Sequence, residues 1–330
     1  MKQLLSKSLP FLFLATLVLL LSWRAPGFAT MGNIGDILRY TAVFVIMGVG
    51  MTFVIVSGGI DLSVGSMLAF SSVVAAWSMR SLVPVAARLL GCAEAPSSLA
   101  VGLCIALSIL VGMAIGAAWG LLNGLLVTRV KLPPFIATLA TMGMARGFAH
   151  LLARALTGGA TTIEITQQGF KFLGQGFVPT IVTVVVVALG YYMLNHMRVG
   201  RYAFAIGSNV EAARYSGIRV GRYTLYVYLL LGVLSGLAGM IEASMLGAGD
   251  STLGDAYELR TIAAVVIGGA SLSGGQGAII GTLIGALIMG VIKDGCILLN
   301  ISFFWQLVVI SLLIIVAVAF DNFQRRRTGA

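Results

Sequence analysis

Long apolar segments, separated by short polar connections, follow one another along almost the whole chain. A helix needs about 20 apolar residues to cross a bilayer. Nine segments approach or exceed that length, at residues 9–23, 40–57, 62–79, 98–127, 135–152, 177–194, 225–246, 277–299 and 303–320. A tenth apolar segment, 261–268, is too short to span alone and runs into the glycine-rich stretch GGASLSGGQG. The pattern predicts an all-α polytopic membrane protein with about ten transmembrane helices, one of them broken.

Composition excludes a soluble globule. Of the 330 residues, 59% are apolar and only 10% carry charge, whereas an ordinary soluble domain has about 25% charged residues. So few polar side chains cannot cover a surface that faces water, and most of the surface must therefore face lipid. The connections are too short to hold a separate soluble domain, so we expect a single transmembrane domain over residues 1–330.

The distribution of Lys and Arg predicts the orientation. If ten elements cross and the N-terminus is inside, twelve basic residues fall on the cytoplasmic side: Lys2, Lys7, Arg129, Lys131, Arg198, Arg201, Arg214, Arg219, Arg222, Arg325, Arg326 and Arg327. Seven fall outside: Arg24, Arg39, Arg80, Arg88, Arg154, Lys171 and Arg260. Basic loops stay in the cytoplasm, so we expect both termini there. The net charge of +10 thus reflects topology, and nucleic-acid binding is not expected.

The first apolar segment has two interpretations. Lys2 and Lys7, a short apolar run, and Gly27 and Ala29 after it fit a cleaved signal peptide. They also fit an uncleaved start-transfer helix, which we favour because nine hydrophobic segments follow and an even number of crossings matches the charge bias.

The sequence contains no recognisable motif for catalysis, metal binding or disulfide bonds. Cys92, Cys104 and Cys296 stand far apart without a CxxC spacing. The two histidines, His150 and His196, are assigned to opposite faces and have no serine motif beside them, which disfavours an intramembrane enzyme. No GxxxxGK[ST] sequence occurs, so the chain cannot cradle ATP phosphates itself. We expect no catalytic residue, metal or cofactor on this chain.

Glycine, with 42 residues, forms stripes at four-residue spacing. Small residues at this spacing let the backbones of two membrane helices approach closely. The stripes are Gly112, Gly116, Gly120 and Gly124 in one segment and Gly277, Gly281 and Gly285 in another. They predict tight helix packing.

Glycine also forms a repeated break. Residues 58–66 read GGIDLSVGS and residues 268–276 read GGASLSGGQ, so five residues recur at a constant offset of 210. An internal duplication is the simplest explanation. Glycine-interrupted segments at corresponding places in two halves of a transporter indicate the translocation site, because broken backbone is tolerated only within protein or beside water. The predicted substrate path comprises Gly58, Gly59, Asp61, Ser63, Asn123, Gly268, Gly269, Ser271 and Ser273.

Asp61 has two possible roles. Its carboxylate could cap the helix that begins near residue 62, or it could contact the substrate. Other ionisable residues within the spans are costly to bury and are therefore functional candidates: Glu242, Asp294, Lys293, Arg146 and His150.

The longest loop on the predicted cytoplasmic side covers residues 195–223. In its middle, Asn209 precedes good helix formers that end at Gly217. This pattern predicts a two-turn helix with an asparagine cap and a glycine stop. Such a helix suits the docking of a partner, although a plain surface helix is the alternative.

Four runs resemble a known family. They are GMTFVIVSGGIDLSVGS (50–66), LPPFIATLATMGMARG (132–147), GRYAFAIGSNVEAARYSGI (200–218) and VVIGGASLSGGQG (265–277). From about residue 41 to residue 320 the chain resembles the membrane permease subunits of bacterial ABC importers for monosaccharides, the ribose-type family. The first span and the outer loops 81–96 and 156–176 match least.

The resemblance implies partners and a coupling site. It implies an ABC importer permease fold in the bacterial inner membrane, an ATP-binding subunit that holds ATP and Mg²⁺, a periplasmic sugar-binding protein, and a second permease copy in a homodimer or a heterodimer with a sister permease. It also implies that loop 195–223 couples to the ATPase through Gly207, Asn209, Glu211, Ala212, Ala213, Gly217 and Ile218.

The expected function is the import of a monosaccharide, whose hydroxyls need polar, uncharged groups along the path. A secondary transporter or channel is one alternative, with Glu242 or Asp294 as proton sites. The same ABC machinery carrying a nucleoside or a branched-chain amino acid is another.

Overall fold

The computed structural model describes residues 2–89 and 98–328; Cys92 and part of the segment 81–96, the predicted outer loop, lie outside this range. The helices are α1 (Lys2–Arg24), α2 (Met31–Val56), α3 (Val64–Leu89), α4 (Ser98–Thr128), α5 (Pro134–Thr157), α6 (Gln168–Lys171), α7 (Val178–His196), α8 (Arg198–Ser208), α9 (Val210–Tyr215), α10 (Val220–Leu246), α11 (Tyr257–Ile267), α12 (Ile279–Leu298) and α13 (Phe303–Thr328). The strands are β1 (Thr162–Glu164) and β2 (Ala248–Asp250), and Phe172–Gly174 form a 3₁₀ turn.

Each of the ten predicted apolar segments coincides with a helix. Within the described ranges, α2, α4, α5, α7, α10, α12 and most of α3 are long and apolar enough to cross a membrane, and α1 and α13 hold shorter apolar stretches. The all-α polytopic fold is therefore confirmed, whereas the number of crossings stays a prediction. Several helices extend beyond the apolar segments. For example, α2 begins at Met31 because the Thr30 hydroxyl accepts a hydrogen bond from the Asn33 amide and caps the helix.

The short apolar segment before the second glycine break forms α11. This helix has 11 residues, which at 1.5 Å per residue is about 16 Å. That length is about half of the hydrocarbon core of a bilayer, so α11 is too short to span alone, as the sequence predicts.

Helix contacts divide the chain into two compact units, each assembled from separate stretches. The first unit comprises Met1–Ile60, Thr183–Tyr223 and Leu259–Ala330, and the second comprises Asp61–Val182 and Thr224–Glu258. The chain first passes from one unit to the other inside the first glycine break. The expectation of one transmembrane domain stays a prediction.

In the first unit, α2 and α12 form an antiparallel pair. Near the start of α2, the Asn33 side-chain amide donates a 2.8 Å hydrogen bond to Asp294, close to the end of α12. Near the opposite ends, the hydroxyls of Thr52 and Thr282 lie 2.7 Å apart. Because its residues are almost all buried from Thr41 onward, α2 is the central helix of this unit.

In the second unit, the glycine stripe of α4 packs on glycines of α10. A Cβ built at Gly116 would lie 3.0 Å from the Gly236 Cα and would overlap the Gly232 carbonyl oxygen. One turn along, Gly120 faces Gly232 in the same way. The predicted close packing is thus confirmed, and α10 supplies a matching set of glycines.

Two glycines of the second stripe, Gly281 and Gly285, lie on α12 and contact α11 or the residue after it within the first unit, whereas Gly277 precedes α12. Gly281 lies against the backbone of Gly268, and Gly285 lies against the Ala264 carbonyl. The backbones of the short helix and of α12 therefore touch directly.

Two three-residue strands connect loops of the second unit. β1 and β2 pair antiparallel, with Thr162 opposite Asp250 and Glu164 opposite Ala248. The sequence does not predict these strands, because three residues carry too little alternation to be recognised.

Replacing Gly116 with alanine should destabilise the second unit. The added methyl would separate α4 from α10, and overpacking of this kind typically costs about 1–3 kcal/mol. Thermal unfolding of the purified protein in detergent measures the change. Gly102→Ala adds the same methyl to α4 where nothing lies within 4 Å and serves as the control. Equal melting temperatures for the two variants would contradict the packing assignment.

Candidate translocation and coupling sites

A buried polar network surrounds Asp61 in the second unit. Its Oδ1 accepts hydrogen bonds from the Ser63 backbone N–H at 2.8 Å and the Ser63 hydroxyl at 2.7 Å. Its Oδ2 accepts from the Asn123 side-chain amide at 3.0 Å. Both Asp61 and Asn123 are fully buried. Three of the predicted path residues are therefore brought together.

The network fixes the start of α3. The Ser63 carbonyl accepts the first helical hydrogen bond, from the Met67 N–H at 2.8 Å, so Ser63 occupies the capping position immediately before Val64. Asp61 accepts hydrogen bonds from two donors of this serine, its backbone N–H and its hydroxyl. The predicted capping role is thus indirect, since Asp61 positions the cap residue.

Thr141 of α5 completes the network and was not predicted. Its hydroxyl donates a 2.6 Å hydrogen bond to the Asn123 side-chain oxygen. The Asn123 amide nitrogen uses its two hydrogens on Asp61 and on the Ser63 oxygen, the latter at 2.8 Å. Because an asparagine amide has only two donor hydrogens, both are used within the protein. The network joins the start of α3 to α4 and α5.

The helices before the two breaks end with the same hydrogen bonds. At the end of α2, the amides of Gly58 and Gly59 donate to the carbonyls of Ile55 and Val54. At the end of α11, the amides of Gly269 and Ala270 donate to Val266 and Val265. Gly58 and Gly269 have φ values of +81° and +89°, in the left-handed region that ends helices and favours glycine.

The matching helix ends are 211 residues apart, whereas the sequence motif repeats at 210. The break after α2 is shorter than the break after α11, since α3 begins at Val64 but α12 begins only at Ile279. The extra length forms a turn in which the Gly274 amide donates to the Ser271 carbonyl and the Ser271 amide donates to Gln276. The duplication therefore stays a prediction.

The remaining predicted path residues lie in the first unit. Gly59 and Ser271 are buried, whereas Gly58, Gly269 and Ser273 are exposed. Gly268 contacts Gly281 of α12. Their part in a substrate path stays a prediction.

The capped helix predicted in loop 195–223 is confirmed as α9. The Asn209 side-chain oxygen accepts from the Ala212 amide at 2.9 Å. At the other end, Gly217 has a φ of +80°, and the Ile218 amide donates to the Ala213 carbonyl at 3.1 Å. Of the predicted coupling residues, Asn209, Glu211, Ala212 and Gly217 are exposed and Ala213 is buried.

Two features of this loop were missed. The first is α8, whose buried Gly200, Ala203 and Ile206 have the three-residue spacing of an amphipathic helix. The second is Tyr215 at the end of α9, which is 88% exposed. The coupling role of the loop stays a prediction.

Gly207 differs from the other predicted coupling residues in its surroundings. A Cβ built there would lie 2.6 Å from the Gly275 nitrogen and would overlap the Val56 carbonyl oxygen. Gly207 therefore faces the two breaks within the first unit.

Three of the ionisable residues identified from the sequence form hydrogen bonds that connect helices with loops or with one another. Arg146 donates to the carbonyls of Ser251 and Leu253 at 2.8 and 2.6 Å, and His150 is hydrogen-bonded to the Ser251 hydroxyl. Glu242 accepts from the Tyr257 hydroxyl at 3.0 Å.

Comparisons with a family model and with individual proteins both match this chain to transport permeases. The model of the family described as "branched-chain amino acid transport system / permease component" matches residues 33–318. The ribose import permease protein of Bacillus subtilis is 43% identical over 95% of this chain and 92% of that protein. The ribose import permease protein of Escherichia coli is 40% identical over 94% of this chain and 91% of its own length.

A third relative transports a different sugar. The galactose/methyl galactoside import permease protein of Escherichia coli is 36% identical over 96% of this chain and 94% of that protein. No solved structure matches the chain significantly. The match to the family model and to these relatives covers nearly all of the helices described above, and the chain is therefore a multi-pass membrane protein that belongs to this family of transport-system permease components.

Proposed function

We propose that this chain is the transmembrane permease subunit of an ATP-driven ABC importer that carries a monosaccharide across the bacterial inner membrane. The observation that carries the proposal is the 43% identity to a ribose import permease along 95% of the chain. A galactose/methyl galactoside permease matches over a similar length. The substrate class is therefore pentoses and hexoses.

A separate ATP-binding subunit, which holds ATP and Mg²⁺, supplies the energy by docking on α9. The support for this step is the shape and exposure of α9. It is a short helix, capped at both ends, that presents a tyrosine and the ion pair between Glu211 and Arg214 at 2.9 Å. Five of the twelve basic residues assigned to the cytoplasm lie in loop 195–223, which agrees with cytoplasmic docking and cytoplasmic termini.

On the opposite face, a periplasmic sugar-binding protein delivers the sugar, and a second permease copy, identical or sister, completes the path. Along the path, neutral hydroxyls and backbone groups of the two breaks contact the sugar. The exposed Ser273 and the backbone of Gly58 and Gly269 are suited to this role. Asp61, Ser63 and Asn123 have the separate role of fixing the start of α3, since their hydrogen-bonding groups are engaged with one another.

A second candidate substrate is a branched-chain amino acid, carried by the same machinery. The description of the matching family favours it, whereas the relatives at 36% to 43% identity favour a sugar.

Uptake into proteoliposomes distinguishes these candidates. The vesicles contain the permease with its copurified ATP-binding subunit and receive the binding protein from outside. We expect ATP-dependent uptake of ribose or galactose and no uptake driven by an ion gradient alone. Uptake of leucine instead would favour the second candidate, and uptake by the permease alone along an ion gradient would contradict an ABC importer.

Replacing Tyr215 with alanine should weaken ATPase docking. Exposed tyrosines often dominate protein interfaces, and losing one that contributes about 2 kcal/mol weakens binding by roughly thirtyfold. Binding of the purified ATP-binding subunit to the permease in nanodiscs measures the effect. Phe172→Ala removes a 67% exposed aromatic side chain from the second unit and is the control. Unchanged affinity for Tyr215→Ala would argue against docking on α9.

Replacing Asp61 with alanine should lower stability and leave the KM for sugar unchanged. The substitution removes the acceptor of three buried donors, and each unsatisfied donor costs about 1–3 kcal/mol. Thermal unfolding and sugar uptake kinetics together measure this. Ser273→Ala, at an exposed position, should retain the melting temperature. A variant of Asp61 with wild-type stability and a raised KM would show that the carboxylate contacts the sugar.

A further inference from the structure

The C-terminal end of α8 meets both glycine breaks in the first unit. A Cβ built at Gly274 would lie 2.8 Å from the Gly207 carbonyl oxygen and 3.1 Å from the Gly58 Cα. A Cβ built at Gly275 would lie 3.1 Å from the Ser208 Cα. Backbones of three separate stretches of chain are thus in direct contact, because glycine stands at each meeting point.

One hydrogen bond joins the second break to the end of α2. The Gly275 N–H donates to the Val56 carbonyl at 2.9 Å. Val56 is the last residue of α2, where carbonyls lack partners within their own helix. This bond therefore satisfies a group that the helix leaves unpaired, and it holds the second break against α2.

Gly207 packs on both atoms of this hydrogen bond. A side chain at this position would press on the donor nitrogen of Gly275 and on the acceptor oxygen of Val56 at once. A displacement of α8 by about the width of a methyl group would therefore change the bond directly.

The same end of α8 is continuous with α9. Asn209 ends α8, with its amide donating to the Ala205 carbonyl at 3.1 Å, and it also caps α9. Only Ser208 and Asn209, the shared capping residue, lie between Gly207 and the first residue of α9, so a force on α9 reaches Gly207 through two residues. Coupling between distant sites requires an element with two arrangements that both sites can bias.

We propose that the hydrogen bond from Gly275 to Val56 is a latch that α8 opens and closes, with Gly207 as the residue that positions it. The proposal rests on the proposed function, since it requires an ATPase that moves α9. In one nucleotide state the latch holds the second break against α2, and in the other the break is released. Gly207 is then a transmitting residue and does not bind the ATPase itself.

The first test replaces Gly207 with alanine, which forces the latch open in every state. We expect the ATP-binding subunit to remain bound and to hydrolyse ATP, while sugar transported per ATP falls by about tenfold, a typical size for coupling between sites. Gly35→Ala adds a methyl to α2 at a position where nothing lies within 4 Å, and it should retain the wild-type ratio of sugar transported to ATP hydrolysed. If Gly207→Ala transports as much sugar per ATP as the wild-type protein, the latch is overturned.

The second test uses the wild-type complex, so it holds even if Gly207→Ala fails to fold. Hydrogen exchange of the Gly275 amide is followed with and without a non-hydrolysable ATP analogue. We expect exchange to differ by about tenfold or more between the two states. Equal exchange in the assembled complex would overturn the latch alone. Failure of the wild-type chain to bind any ATP-binding subunit would overturn the proposed function and the latch together.

Discussion

The close approach of backbones at glycine is the contact on which the rest of this structure depends. Packing between membrane helices gains little from the hydrophobic effect, because lipid is as apolar as the helix surface. Helices must instead come close enough for backbone contact, which Gly116 and Gly232 allow between α4 and α10 and Gly281 and Gly268 allow between α12 and α11. The same principle lets α8 touch both breaks at Gly207.

The second constraint is that buried polar backbone must find partners within the protein. At the end of α2 the carbonyl of Val56 is paired by Gly275, and at the start of α3 the cap residue Ser63 is held by Asp61. On one side of the first break, the Val56 carbonyl is therefore held by a single backbone bond within the first unit. On the other side, the start of α3 is held by a network of side chains within the second unit. The polar groups of the side-chain network have several partners among themselves, whereas the single backbone bond from Gly275 to Val56 depends on the position of α8. This difference is why we assign a positional role to Asp61 and a switching role to the bond at Gly275.

Much of the fold could be predicted from the sequence, because apolar runs of membrane-spanning length and glycine spacing are strong signals. The helix α9 was predictable as well, since Asn209 and Gly217 mark its ends. Other features depend on contacts that spacing does not reveal. Thr141 joins the Asp61 network only because α5 packs beside α4. Gly207 shares a motif with the other predicted coupling residues, although it faces the breaks. The sequence motif repeats at an offset of 210 residues, whereas the helix ends repeat at 211. Identical residues of the two motifs therefore do not make identical hydrogen bonds.

The central claim is that one set of glycine backbone contacts links α9, the proposed ATPase-docking helix, to the two breaks that are proposed to line the sugar path. High-resolution structures of the assembled importer with and without a non-hydrolysable ATP analogue measure it most directly, through the distance between the Gly275 nitrogen and the Val56 oxygen. We predict that the distance stays near 2.9 Å in one nucleotide state and exceeds the hydrogen-bonding range in the other, together with a displacement of Gly207. The same distance in both states, while α9 moves with the ATPase, would contradict the account.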